Sequence, residues 1–385
     1  MSVRRLAGLL LAAAALPGGY VALAPQTVGG TPPRSDWVWR LPDTFPVPRV
    51  PKDNALSTAK VEAGKRLFYD RRLSANAKQS CSSCHRPELA FTDGKQTAVG
   101  STGEAHPRNS QSLVNVAYSP TLTWANPALV TLERQMEVPL FGERPVEMGV
   151  TDNNKGRVLA RIKHDTRYRQ LFTKAFPGRR QPVTWQAIVR SIAAFERTLI
   201  SADSKYDRYV RGEAKLTASE RRGQRLFSGE EAECHHCHGT FLFNDQATYA
   251  GAQPATPEFH NNGLYNLGGT GAYPEGNRGV YELTGDPADM GMFRAPSLRN
   301  VALTAPYMHD GSIATLREVV DHYAAGGRTI LSGPFAGDGR QNPNKDPLLA
   351  GIDLTEQDRD DLVAFLRTLT DTSIAKNPRF ADPFR

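Results

Sequence analysis

The chain has 385 residues, 39% hydrophobic and 23% charged, which is enough apolar material for about two packed domains and excludes a disordered or collagen-like chain. The formal net charge is +7, but no Lys/Arg run is interleaved with aromatic residues, so a nucleic-acid surface is not indicated. Only four cysteines are present, which in an oxidising compartment could form two disulfides unless another chemistry claims them.

In chain order, Arg4 and Arg5 form a basic start, Leu6 to Leu16 is apolar, and Ala22-Leu23-Ala24 is a small-x-small cleavage site. Residues 1–24 read as a cleaved secretory signal peptide, because the apolar run is too short to cross a bilayer. No cysteine follows that run and no second apolar run of spanning length occurs, so a periplasmic protein without a membrane anchor is expected. Residues 25–51 hold seven prolines together with Trp37 and Trp39, and read as an extended surface strap that the two tryptophans pin by packing.

The rest of the chain is a duplication. Gly64-Lys-Arg-Leu-Phe68 returns as Gly223-Gln-Arg-Leu-Phe227, and Ala194-Phe-Glu-Arg-Thr-Leu199 returns as Ala364-Phe-Leu-Arg-Thr-Leu369. The closing segments have helical apolar spacing, with Ile188, Ile192, Phe195 and Leu199 in one and Leu362, Phe365, Leu366 and Leu369 in the other. Thr217 with Glu220, and Thr355 with Asp358, are candidate capping boxes. Residues 239–297 and 333–347 are rich in loop formers. The reading is a mainly α protein with long loops and little strand. Residues 52–205 and 206–385 are two tandem domains, each running from a first helix through a cysteine motif and a variable insert to a closing helix.

Between each pair of repeats lies Cys-x-x-Cys-His: Cys81-Ser-Ser-Cys84-His85 and Cys234-His-His-Cys237-His238. Together they use all four cysteines. This is the attachment signature of c-type haem, with two thioethers to the porphyrin and the adjacent His as iron ligand. A structural zinc site or a redox dithiol are the rival readings. Zinc wants four N/S ligands in a closed tetrahedron, and a dithiol needs no His after the second Cys. Two covalently bound c-type haems are expected, and each domain then has the plan of a cytochrome c. Haem propionates offset part of the positive charge.

Phe293-Arg-Ala-Pro-Ser-Leu-Arg-Asn300, Leu303-Thr-Ala-Pro-Tyr-Met-His-Asp-Gly311, Leu67-Phe-Tyr-Asp-Arg-Arg-Leu-Ser74 and Pro107-Arg-Asn109 resemble the signatures of bacterial di-haem cytochrome c peroxidases and their MauG relatives, over nearly the whole mature chain. The resemblance implies a ligand opposite His238 fourteen residues beyond His309, which is Tyr323. The peroxidases carry Met there and MauG carries Tyr, an anionic oxygen ligand favouring oxidised iron. Met308, Met290 or Met292 is the alternative ligand, with Tyr323 then only packing, and His322 is expected to face elsewhere. The distal His of the peroxidases corresponds to Ser101, beside Gly100, so the His85 haem is expected to be open to hydrogen peroxide. His106 is expected to cap its loop or to ligate in some state.

The family's acid–base glutamate matches Glu147 in Val146-Glu147-Met148, with Glu143 as an alternative base or a surface charge. Gln135 and Pro139 match pocket positions, although the interval from Gln135 to Glu147 is two residues longer than usual. Trp124, one residue out of register, matches the tryptophan between the haems, with a core tryptophan as the alternative. The family's calcium site maps to Asn109, Thr304 and Pro306. The surface tryptophan by which MauG passes oxidising equivalents to its protein substrate is replaced by Ala232, amid acidic residues. Trp37-Val-Trp-Arg-Leu-Pro42, Leu122-Thr-Trp-Ala-Asn-Pro127 and Gly339-Arg-Gln-Asn-Pro-Asn-Lys345 resemble a MauG-like subgroup that includes MbnH, which oxidises a Trp of a partner periplasmic protein to kynurenine.

The resemblance implies an oxidoreductase that uses hydrogen peroxide to form a high-valent di-haem state and oxidises Trp or Tyr of a partner by long-range electron transfer. A cytochrome c peroxidase taking electrons from a small cytochrome, or a non-catalytic electron carrier, are the alternatives. Mass spectrometry of the exported protein is expected to give a chain that begins at residue 25 and carries two covalent haems, and Cys84→Ala is expected to leave one thioether fewer.

Overall fold

The structure is a computed structural model that describes residues 35–254 and 256–385. Residues 1–24, expected to be a signal peptide, and residues 25–34 of the expected strap lie outside the described residues. The long helices are Thr58–Tyr69, Lys155–Lys163, Thr166–Ala175, Trp185–Glu196, Ala218–Ser228, Leu316–Ala324 and Glu356–Thr368. Strand is confined, among the described residues, to the antiparallel pair Thr329–Ile330 and Gly337–Asp338. The mainly α expectation holds. Both capping boxes form: Thr217 and Thr355 each accept from the backbone N–H three residues on, while Glu220 and Asp358 reach back.

Each half is built on one helix crossing. The opening helix Thr58–Tyr69 packs on the closing helix Trp185–Glu196, and Ala218–Ser228 packs on Glu356–Thr368. The repeated glycines explain how closely. A Cβ on Gly64 would lie 1.8 Å from the carbonyl oxygen of Ser191, and one on Gly223 would lie 1.9 Å from that of Asp361. Beside each crossing, Phe68 meets Phe195 with ring centroids 5.3 Å apart, and Phe227 meets Phe365 at 5.2 Å. These contacts put residues 191, 195 and 199 in register with 361, 365 and 369.

Two large apolar cores result. One surrounds Leu67, Phe68, Ile162, Phe172 and Phe195, and the other surrounds Phe227, Leu316, Leu362 and Phe365. The C-terminal residues return to the first core rather than the second: Ile374 and Phe380 are buried in it, and Tyr69 donates its hydroxyl to the carbonyl of Phe380.

The strap is fixed chiefly by Phe45, which is 5% exposed and packs edge-to-face on Tyr118 and Phe241. Trp37 and Trp39 form an edge-to-face pair of their own at 5.9 Å, with the Arg379 guanidinium 5.3 Å from the Trp37 ring, so they pack as expected but at the surface.

Gly64→Ala or Gly223→Ala is expected to force the helix pair apart, costing about 1–3 kcal/mol or more and lowering the melting temperature by several degrees. Gly156→Ala, on an exposed helix where a Cβ meets nothing within 4 Å, is expected to leave it unchanged or raise it slightly. Calorimetry of the three variants checks the contrast.

Candidate haem sites

Both Cys-x-x-Cys-His segments are short turns: Cys81–Ser83 is a 3-10 turn and His235–His238 a single helical turn. In each, the imidazole that follows the second Cys is held by one backbone carbonyl. His85 Nδ1 lies 2.8 Å from the oxygen of Phe91, and His238 Nδ1 lies 2.7 Å from that of Phe243. A carbonyl only accepts, so Nδ1 carries the proton and Nε2 is left as the free lone pair, which is the tautomer an axial ligand needs. Burial lowers the pKa of both imidazoles, which favours the neutral form.

The cysteines are unpaired thiols, and burial pushes Cys81 up, Cys84 up to about 11 and Cys234 up to about 12. A zinc or redox dithiol site shows the opposite shift, towards thiolate. The groups whose ligand atoms converge within 4.8 Å are Glu230/His235/His236 and Asp245/Glu258/His260, and neither includes a cysteine. The donor set therefore fits thioether-linked haem at both motifs.

The cavity beside the first motif encloses about 1590 Å³ out to its open mouth. Cys81, Cys84 and His85 line it, as do Gln135, Pro139 and Glu147, so the structure brings these sequence-identified residues together. Gly100 lines it too, and its lack of a side chain is required: a Cβ there would lie 1.7 Å from the carbonyl of Val146. Ser101 instead bonds its N–H to the carbonyl of Glu147 at 2.7 Å. Burial raises the Glu147 carboxyl to about 7. His106 Nε2 stands 3.7 Å from Glu147 Oε1, while His106 Nδ1 accepts the backbone N–H of Arg108 at 3.1 Å, so His106 caps its loop. Glu143 is exposed and outside the cavity lining.

Trp124 lines the same cavity, donates Nε1–H to the carbonyl of Asn109 at 2.8 Å, and packs against a third apolar cluster of Leu264, Tyr273, Phe293 and Ile313. It thus spans from the first cavity into the second half. Asn109 spends its amide N–H groups on the carbonyls of Lys95 and Gln96, and its backbone N–H on that of His309. Among the described residues nothing donates to its side-chain oxygen, which leaves a hard-cation donor beside the loop that carries Thr304 and Pro306.

At the second motif, the phenol of Tyr323 is buried close to Cys234 and Cys237, beside Asn262, and burial raises it to about 12. His322 points away: its Nε2–H meets the carbonyl of Asn262 at 2.9 Å. The Asn262 amide also reaches Met308 Sδ at 3.4 Å. Met290 and Met292 pack with Trp124 in the third cluster. Ala232 is 2% exposed within the second core.

One group was missed by sequence reading. His260 sits between Asp346 (Nδ1 to Oδ2, 2.6 Å) and Asp245 (Nε2 to Oδ2, 2.9 Å), 3.9 Å from Cys237 Sγ. The hydrogen bond to Asp245, then Cys237 and Asp346, hold it protonated up to about 11. Asp245, His260 and Asp346 are far apart in sequence, so no local pattern marks them.

The geometry defines a two-haem c-type cytochrome whose first motif opens on a cavity. A family profile described as di-haem cytochrome c peroxidase matches residues 58–215. The chain is 38% identical over 343 residues to the cytochrome-c peroxidase IdrP1 of Denitromonas iodatirespirans, covering 85% of each chain. It is 34% identical over 332 residues to the methylamine utilization protein MauG of Methylorubrum extorquens, covering 86% of this chain and 83% of that one. A crystal structure of a MauG-like protein associated with microbial copper homeostasis superimposes with a TM-score of 0.89 at 56% identity, covering 91% of this chain and all of that one. The chain belongs to the di-haem cytochrome c peroxidase and MauG family of haem-dependent, peroxidase-type oxidoreductases. No helix among the described residues is long and apolar enough to cross a membrane.

His260 is protonated in the folded chain far above the usual imidazole range. Asp245 and Asp346 keep its pKa raised when Cys237 is a thioether, so its stabilisation is complete below pH about 6.5 and falls as pH rises through the raised pKa. Thermal melts across that window are expected to show a smaller alkaline loss in His260→Asn than in the wild type.

Proposed function

We propose that the protein is a MauG-like enzyme in which hydrogen peroxide reacts on the His85 side and the oxidising equivalents leave to a Trp or Tyr of a periplasmic partner protein. The observation that carries the reading is Tyr323, whose buried phenol stands beside both cysteines of the second motif. Bound haem supplies the redox chemistry at both sites. The protein's own residues do the rest. Glu147, poised near pH 7, takes the proton from one peroxide oxygen and returns it to the other. Gln135, Pro139 and Gly100 line the same cavity, and Ser101 stands at the position where the peroxidases carry a distal His. Trp124 is the stepping stone between the two sites. Tyr323 Oη, an anionic donor once deprotonated, favours oxidised iron on the second side. Because electrons travel through the chain, the partner's residue need not enter the cavity. The 56% identical MauG-like relative associated with copper homeostasis supports a partner in that setting, and conversion of the partner's Trp to kynurenine is the specific outcome inferred. Asn109, with the carbonyls of Thr304 and Pro306, is the proposed calcium site.

A second reading has its own support. Asn262 holds the Met308 thioether near the same site, and Met there would make a high-potential acceptor suited to a cytochrome c peroxidase fed by a small cytochrome.

Adding one equivalent of hydrogen peroxide to the fully oxidised holoprotein is expected to give an immediate, long-lived new optical spectrum. No reaction until one haem is reduced would support the peroxidase reading. The rate of that reaction is expected to rise with pH through about 7, as Glu147 ionises, and Glu147→Gln is expected to slow it on the order of 100-fold and abolish the pH dependence. Tyr323→Met is expected to shorten the lifetime of the oxidised spectrum without changing its rate of formation.

A further inference from the structure

The wall of the first cavity contains a second buried carboxyl that nothing above uses. Glu196 ends the closing helix Trp185–Glu196, is 3% exposed, and lines the cavity with Gln135 and Glu147. Its Oε2 is buried without a hydrogen-bond partner. The next residue, Arg197, does not neutralise it, because its guanidinium is spent on Glu133 at 3.0 Å. An unpartnered buried carboxyl costs a fold free energy, so the packing gives no reason for it. The duplication supplies the control. In the register fixed by the two helix crossings, Glu196 corresponds to Leu366, 7% exposed in the second core. The same helix position is an ordinary aliphatic in the core of the second half, and a carboxyl on the cavity wall in the first.

We propose that Glu196 is a proton store for the first cavity, handing a proton inward during peroxide reduction and recovering it from solvent. The proposal rests on peroxide reacting on the His85 side. Reducing hydrogen peroxide to two waters takes two electrons and two protons. The electrons come from the protein or cytochrome partner. Glu147 only moves a proton from one oxygen to the other, so both protons must be brought in. Glu196 gives one to the second water as it forms, through Gln135 or water in the cavity, and the carboxylate left behind lasts only until a proton returns from solvent. The charged and titratable groups facing Glu196 are Arg197 on its own helix, Glu133 from the helix Leu132–Gln135, and Cys81 from the first motif, whose thiol is close enough to be raised by both Glu196 and Glu147. Burial raises Glu196 to about 8, which leaves it protonated at neutral pH.

Infrared difference spectra and stopped-flow kinetics of the holoprotein test this. At neutral pH the resting wild type is expected to show the carbonyl stretch of a protonated carboxylic acid that Glu196→Gln removes. After one equivalent of peroxide and then ascorbate, Glu196→Gln is expected to return to the resting spectrum at least about tenfold more slowly, with formation of the oxidised spectrum within about twofold of wild type, and Glu196→Asp is expected to restore part of the rate. Glu196→Leu, copying the second half, is expected to melt at or above the wild-type temperature while showing the same slow return. An infrared band unchanged by Glu196→Gln, an unchanged return rate, or a Glu196→Leu protein that melts well below wild type overturns the proposal. Glu147→Gln separates the two failures. If it blocks the peroxide reaction and Glu196→Gln changes nothing, only the proton store is wrong. If it leaves the reaction unchanged, the placement of the reaction on the His85 side fails, and the role of Glu196 with it.

Discussion

The arrangement of both haem sites depends on one backbone carbonyl in each half. Phe91 and Phe243 present those carbonyls to His85 and His238, and both do so with left-handed backbone, at φ 62° and 56°. That conformation is unfavourable for a phenylalanine and persists only where surrounding packing enforces it. The enforcement is visible. Phe91 rests on Phe68 at 6.0 Å and Phe243 on Phe227 at 5.9 Å, and Phe68 and Phe227 are the rings that meet Phe195 and Phe365 beside the glycine crossings. The helix crossing, the aromatic trio and the imidazole orientation thus form one continuous contact in each half. Both imidazoles donate to a neutral amide oxygen, so the two histidines would offer equivalent donors to bound haem. The surroundings differ, with Glu147, Gln135 and Gly100 beside the first motif and Tyr323 and Asn262 near the second.

The halves are held to each other by a second repeated device. Asn115 and Asn300, at φ 60° and 62°, donate their backbone N–H groups to Leu199 and Leu369, the ends of the two closing segments. Asn115 then exchanges two hydrogen bonds with Ser201. The Ser201 hydroxyl contacts Asp371, and Asp371 N–H reaches Asn300. These residues are buried and mutually satisfied, and a network of that kind permits one geometry. The seam fixes how the ends of the two closing segments sit against each other.

The fold was legible in the sequence because it is local and duplicated. Gly64/Gly223, Phe68/Phe227 and Phe195/Phe365 occur in short repeated words, and the capping boxes are four-residue signals. Of the candidate sites, the attachment cysteines and their histidines were legible for the same reason, whereas Gln135, Pro139 and Glu147 were named only through the family resemblance; these three line one cavity with the first motif. What escaped notice is assembled from distant segments. The triad of Asp245, His260 and Asp346, the contact of His106 with Glu147 and the return of Phe380 to the first core have no spacing to betray them. Phe45 lacks a distinguishing neighbour, whereas the two tryptophans near it drew attention by their rarity. Glu196 lay in plain view inside a repeated word. Only its departure from Leu366 marked it, and reading that departure required knowing that the position is buried.

The strap imposes an order on the making of the molecule. Phe45 packs on Tyr118 from the first half and Phe241 from the second, Pro46 accepts the hydroxyl of Tyr118, and Val47 accepts the N–H of Ala250. Arg49 reaches the carbonyl of Ala252, 203 positions away. Residues 45–49 therefore meet their partners only once most of the chain has left the ribosome. By then both cysteine motifs have been presented as open chain, the form in which porphyrin has to be joined to them. The strap is thus a late closure of the fold, delayed by the length of chain that must first be brought round to meet it.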